Sequence, residues 1–174
     1  MAAIRVLIVD DHAVFADALA TILGTESDVE VVGKGGTVQE AINAARALGP
    51  DVVLLDVHMP DGSGIEAAAA IKKYRPQTQV VILTSDEEES VLQSAIQAGV
   101  TGYLSKHETA AQVVQAVRSA SRGEALIAPT CWPASCAAYK RRMNRGRRRR
   151  SRPASWKYCA SSRWDTTTRP SRRR

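Results

Sequence analysis

Residues 52–64 read Val52-Val53-Leu54-Leu55-Asp56-Val57-His58-Met59-Pro60-Asp61-Gly62-Ser63-Gly64. The run opens on apolar, partly β-branched residues, as expected of a strand covered on both faces. It stops on an acid, Asp56. Pro60, Asp61 and Gly62 then favour a tight loop, and Ile65–Tyr74 follows with helical spacing and an alanine run that permits close packing. The unit is strand, loop and helix, with a carboxylate where the strand ends.

Similar units lie on both sides. Ile4–Val9 reads as a buried strand and Val14–Leu23 as a helix. Glu30–Val32 reads as a short strand. Thr37-Val38-Gln39-Glu40 has the pattern of a capping box opening a helix through Leu48. Val80–Leu83 reads as a strand and Val91–Ala98 as a helix closed by Gly99. Gly102–Leu104 and Thr109–Ala120 complete the series, with Gly123 just past the last helix. Gly33-Lys34-Gly35-Gly36-Thr37 has the wrong order for a phosphate loop and reads as the turn after the second strand. Glu87-Glu88-Glu89 reads as a solvated helix start. Five such units predict an α/β fold, a five-stranded parallel sheet doubly wound by helices.

In such sheets function collects at the carboxyl ends of the strands. Those ends carry Asp10-Asp11-His12, Asp56 with the loop to Gly62, Thr84-Ser85, and Ser105-Lys106. Asp10, Asp11 and Asp56, with Thr84 and Lys106, should therefore meet in one crevice. Clustered carboxylates repel unless a cation joins them. Hard oxygen donors in an open site suit Mg²⁺. A carboxylate can attack a phosphoryl group to form an acyl phosphate, with an ammonium and a hydroxyl stabilising the phosphoryl oxygens. Simpler readings stand beside this one. Asp10-Asp11 could be a helix-capping pair, and Tyr103 an ordinary half-buried strand residue. His12, His58 and His107 lack the spacing of a metal site, and none is expected to ligate through its side chain.

Residues 1–128 resemble the receiver domain of two-component response regulators, most closely the NarL/FixJ class. The resemblance rests on Asp10-Asp11-His12, on the stretch Leu54–Gly64, and on Thr84, Tyr103 and Lys106. It implies the flavodoxin-like receiver fold, with Asp56 as phosphoacceptor for a sensor histidine kinase. It implies that Asp11 and Asp56 bind Mg²⁺ directly with the backbone carbonyl of His58, and that Asp10 acts mainly through a water. Lys106 should pair with Asp56 at rest and with the phosphoryl group afterwards. Thr84 and Tyr103 should form the switch, the ring turning inward. A receiver homodimer is a further expectation. Such a chain is a self-phosphorylating receiver rather than an enzyme, with slow autodephosphorylation at most. The loop from Ser85 to Glu89 departs from the class, being about a residue short and without the usual aromatic.

Composition divides the chain. Of its 174 residues, the first 130 hold 9 Lys+Arg against 17 Asp+Glu, while residues 131–174 hold 15 against the single acid Asp165. All three Cys and all three Trp fall in the second part. Cys131, Cys136 and Cys159 lack zinc spacing. No apolar run approaches a membrane span, and Met1–Val9 lacks the pattern of a secretory signal, so a cytoplasmic protein without membrane insertion is expected.

Residues 129–174 show no helical periodicity, and Pro133, Pro153 and Pro170 interrupt them. A disordered basic tail is expected. Tryptophan has one codon, TGG. When the third base of each codon is read with the first two of the next, Trp156-Lys157 forces a glutamate, Tyr158-Cys159 a leucine and Trp164-Asp165 a glycine. Trp156–Arg173 can then be read as E-V-L-R-L-I-A-V-G-H-D-N-K-A-I-A-A, which resembles the start of a LuxR-type helix-turn-helix. The same shift near Thr130-Cys131 permits L-L-A-R-L-L, a linker helix. The expectation is a regulator with an intact receiver and a DNA-binding domain replaced by an out-of-frame tail. The competing function is non-specific nucleic-acid binding through the cationic run, or attachment to an acidic membrane by charge alone. A flavodoxin-like enzyme or nucleotide binder is disfavoured, because Asp10-Asp11 stands where a glycine-rich loop would be needed.

Overall fold

The computed structural model describes residues 2–85 and 89–127. They belong to one compact unit. Strand β1 (Ile4–Val9) leads to helix α1 (Ala13–Gly24), β2 (Val29–Gly35) to α2 (Val38–Leu48), and β3 (Val52–Asp56) to a small hairpin, β4 (His58–Met59) with β5 (Gly62–Ser63). Then come α3 (Gly64–Tyr74), β6 (Gln79–Thr84), α4 (Glu89–Gln97), β7 (Gly102–Ser105), α5 (Ala110–Ser121) and β8 (Leu126–Ile127).

The main sheet runs β2-β1-β3-β6-β7-β8, and every pairing is parallel. Helices α1 and α5 pack together, as do α2, α3 and α4, so two helical layers enclose the sheet. The core is aliphatic. Every residue of β3 is buried, and Val6–Val9 and Val80–Leu83 are at most 2% exposed. This is why Val6–Val9, Val52–Leu55 and Val80–Leu83 read as unbroken apolar runs.

The sheet has a sixth strand. Gly123, at φ 71°, turns the chain back after α5, and Leu126 and Ile127 pair with Gly102 and Tyr103. Two residues are too short for periodicity to reveal. The second strand is also longer than expected. Gly33, Lys34 and Gly35 belong to β2, opposite Leu7, Ile8 and Val9, and are not a turn. The register shifts between Val6 and Leu7. A Cβ at Gly33 would stand 2.7 Å from Leu48 Cδ1, so the glycine lets α2 lie close over the strand.

Local chemistry sets the helix ends. The Thr37 hydroxyl accepts the Glu40 N–H at 3.1 Å, but the Glu40 carboxylate reaches back to the Gly36 N–H at 2.7 Å, one residue before a capping box would place it. A complete box opens α5, between Thr109 and Gln112. Gly49, left-handed at φ 57°, ends α2. Helix α4 includes Glu89, while Glu87 and Glu88 fall outside the described residues. The boundary at residue 128 and the tail 129–174, with their expected disorder and linker helix, also fall outside them.

Candidate functional site

The open parallel sheet brings the ends of β1, β3, β6 and β7 to one edge. Asp10 follows β1, Asp56 ends β3, Thr84 ends β6, and Lys106 follows β7. Asp10 is 4% exposed, Asp56 3% and Thr84 0%. Asp11 stands nearer solvent.

Lys106 joins the set. Its Nζ donates to Asp56 Oδ2 at 2.8 Å and lies 2.7 Å from Asp10 Oδ2. Its backbone N–H donates to the Thr84 carbonyl at 2.8 Å, which fastens the lysine to the strand bearing the hydroxyl. Burial draws the Lys106 ammonium down, but its contacts with Asp10 and Asp56 draw it up more strongly, and it is held above its usual range. The expected resting pair of Lys106 with Asp56 is present, and Asp10 shares it.

Asp56 Oδ1 accepts the N–H of Val57 at 2.7 Å. The backbone beyond it folds back, with the Gly64 N–H donating to the Val57 carbonyl at 2.8 Å. A Cβ on Gly64 would lie 1.8 Å from the Asp56 carbonyl oxygen, so only glycine fits there. Asp61, from the same loop, leaves the crevice. Its carboxylate accepts the N–H groups of Val38 at 2.7 Å and Gln39 at 3.1 Å, capping α2 from a distant part of the chain. Those N–H groups hold its carboxyl below the usual range, against the opposing effect of burial.

Asp10-Asp11 does not cap α1, whose N-cap position is His12 and carries no side-chain cap; instead Asp10 Oδ1 accepts the His12 N–H at 2.9 Å, just before the helix. Its Oδ2, in a side chain 2% exposed, is the oxygen paired with the Lys106 ammonium at 2.7 Å. Ligand atoms of Asp10, Asp11, His12 and Asp56 all lie within 4.8 Å of one another. Carboxylate oxygens gathered at this spacing are hard donors that fit a divalent cation, and Mg²⁺ suits them. The hairpin holds the His58 backbone two residues beyond Asp56, with its side chain exposed.

Tyr103 is 1% exposed, not half-buried, and its strand lies between β6 and β8. One residue near the site belongs to no motif in the linear sequence. Phe15, the single Phe of the chain, sets its ring 5.0 Å from Lys106 Nζ. Its signal is its place in the first turn of the helix after Asp10-Asp11. Gly64 closes the stretch Leu54–Gly64, but its steric role against the Asp56 carbonyl is visible only in the fold.

The fold and this crevice are those of a response regulator receiver domain. That family matches residues 6–118, well over half of the chain, and the protein belongs to it. Among curated proteins the chain is similar to the response regulator protein VraR of Staphylococcus aureus (strain Mu3 / ATCC 700698), 44% identical over 126 residues, covering 72% of this chain and 60% of that protein. The chain thus spans about 60% of the length of the curated relatives it matches. Among solved structures it is similar to the signal receiver domain of the response regulator NarL from Mycobacterium tuberculosis, with TM-score 0.69 and 32% identity over 71% of this chain and all of that one. A LuxR-family two-component response regulator from Aurantimonas sp. SI85-9A1 matches with TM-score 0.72 and 26% identity, over 80% of this chain and 99% of that one. The protein is therefore close to the NarL/LuxR-family regulators, and it carries a two-component receiver domain. Among the described residues no helix is long and apolar enough to cross a membrane.

Proposed function

We propose that this receiver takes a phosphoryl group from a histidine kinase onto Asp56. The observation that carries the reading is the buried Asp56 carboxylate facing the Lys106 ammonium at 2.8 Å, beside Asp10 and Asp11. An Asp56 oxygen attacks phosphorus, the phosphorus–nitrogen bond to the donor histidine breaks, and an acyl phosphate forms. Asp11, Asp56 and the His58 carbonyl would hold Mg²⁺, with Asp10 acting through a water. The cation would supply charge stabilisation for the phosphoryl oxygens.

Lys106 does two things. At rest it offsets the like charge of Asp10 and Asp56. After transfer its ammonium turns to the phosphoryl oxygens as a charge-assisted donor. Thr84, buried at the end of β6, would supply a hydroxyl to the same group. Tyr103 already stands inside in this arrangement, so the switch would consist of stabilising the inward ring rather than creating it. A receiver homodimer is the assembly this reading favours, with phosphorylation biasing a two-state element. Autodephosphorylation, if slow, would leave the domain a timed acceptor rather than an enzyme.

The test is labelling by acetyl phosphate with Mg²⁺, followed by intact mass. The natural chain should gain one phosphoryl group and Asp56→Asn none, with unchanged circular dichroism. Comparable labelling of Asp56→Asn would show that another group is the nucleophile.

A further inference from the structure

A lysine ammonium carries three hydrogens and accepts none. Two contacts of the Lys106 ammonium are the carboxylates already described, Asp56 Oδ2 at 2.8 Å and Asp10 Oδ2 at 2.7 Å. The third is aromatic. Lys106 Nζ stands over the ring of Phe15, 5.0 Å from its centroid, and the lysine side chain is only 10% exposed. At that separation the negative face of a ring attracts a cation, and the attraction grows where water is excluded. The ring comes from a different element than the lysine. Phe15 lies in the first turn of α1, and its N–H donates to the His12 carbonyl at 2.9 Å, so the backbone sets its place without help from the ring.

We infer that Phe15 is a positioning residue for phosphoryl transfer, which holds the Lys106 ammonium in place through the face of its ring. The inference rests on the reading of Asp56 as phosphoacceptor proposed above. A lysine stem is flexible and its ammonium is strongly hydrated, so an open third side would draw the charge toward solvent. A ring on that side excludes water and attracts the charge, yet it takes no directional hydrogen bond. A third carboxylate there would instead hold the ammonium back. The ring thus leaves the ammonium's hydrogens to Asp10 and Asp56 at rest, and to the phosphoryl oxygens after transfer. It acts on the reaction through Lys106, because transfer spreads charge over the oxygens that the ammonium meets.

Packing is the alternative role for a half-buried ring. The two roles differ in sign along one series of variants. Fluorine atoms on a phenyl ring withdraw charge from its face and add apolar area, with little change of shape. A ring that only packs should hold or raise the reaction rate along such a series, while a ring that attracts the ammonium should lower it. The sequence makes the series simple to prepare. Phe15 is the single Phe of the chain, so replacing phenylalanine throughout by a fluorinated analogue alters residue 15 alone.

The experiment uses the full chain, acetyl phosphate and Mg²⁺, with the rate of labelling at Asp56 read by intact mass. The rate should fall stepwise as the ring carries more fluorine. It should fall on the order of tenfold in Phe15→Leu, and Phe15→Tyr should keep it within about twofold of the natural chain. The fluorinated rings keep the native shape, so the series decides the matter even where Phe15→Leu is destabilised. With one fluorine on the ring, the single fluorine resonance of the chain should shift in Lys106→Met. A rate that stays level or rises along the series would overturn the assignment and leave the receiver reading standing. A fluorine resonance indifferent to Lys106→Met would do the same. If the natural chain takes no label, or Asp56→Asn labels as fast, both readings fail together.

Discussion

Asp56 and Lys106 are linked by a 2.8 Å ion pair, and its energetics depend on pH. Because the lysine is held above its usual value of 10.5 in the folded chain, its contribution to stability is complete below that value. It is lost as pH rises through the higher folded value. Urea unfolding of the natural chain and Lys106→Met from pH 8 upward should therefore give a constant difference at first and a shrinking one above about pH 10.5. A difference that grows with pH would contradict the pairing. Lys106→Ala should still accept a phosphoryl group on Asp56 but lose the chemical-shift changes that follow at Thr84 and Tyr103. Gly64 is the second residue to test. With the Asp56 carbonyl 1.8 Å from any added Cβ, Gly64→Ala must displace the backbone that carries the acceptor. A loss of about 1–3 kcal/mol or more in unfolding free energy is expected, with slower acetyl-phosphate labelling. Unchanged stability would mean that the loop yields freely.

At the scale of elements, three carboxylates join segments far apart in sequence. Asp61 caps α2 across the loop that carries the phosphoacceptor stretch. Asp28, just before β2, takes two hydrogen bonds from Arg118 of α5, at 2.8 and 2.6 Å, and Glu26 takes a third at 2.7 Å. Arg118 holds the Asp28 carboxyl low, as the Val38 N–H does for Asp61. The sign follows from the depressed values. Each acid's contribution is present above its ordinary 3.8 and lost as pH falls through its lower folded value. Asp61→Asn and Asp28→Asn should lower the urea midpoint at pH 7 with unchanged slope, and the deficit should narrow below about pH 3.8. An equal deficit at every pH would point to geometry instead of charge. The capping pattern of Thr37-Val38-Gln39-Glu40 marks the start of α2, but nothing in it points to Asp61, because a cap 23 residues away leaves no local signature.

At the scale of the whole molecule, charge is the dominant fact. The acidic first 130 residues precede a segment with 15 cationic side chains and one acid. Such a segment should bind nucleic acid through counterion release, without regard to sequence and with a steep fall in salt. A helix-turn-helix would instead read base edges with a helix set in the major groove. The measurement is titration of promoter and random DNA at two salt concentrations, comparing the natural chain with one whose reading frame is restored after Thr130. The natural chain should bind both DNAs alike, phosphorylated or not, and the restored chain should distinguish them. Phosphorylation-enhanced selective binding by the natural chain would show that residues 129–174 do supply a specific output.

The alternation of apolar runs with helical spacing determined the α/β class, and the residues at strand ends determined the candidate site. Both are local: an all-apolar strand must be covered, and a parallel sheet gathers its carboxyl ends along one edge. Asp10, Asp11, Asp56, Thr84 and Lys106 are therefore legible in the linear order of residues. Tertiary structure alone decided what each of them touches. It seated Lys106 between Asp10 and Asp56, took Asp61 out of the crevice to α2, set Phe15 beside the ammonium, and brought the His12 imidazole over the acids. It also extended β2 through two glycines and added β8, where packing and backbone pairing, not side-chain pattern, made the strand. The physical reason is the same in each case. Periodicity records which face of an element is buried, while contacts between elements depend on register, loop geometry and charge at distances the linear order does not encode.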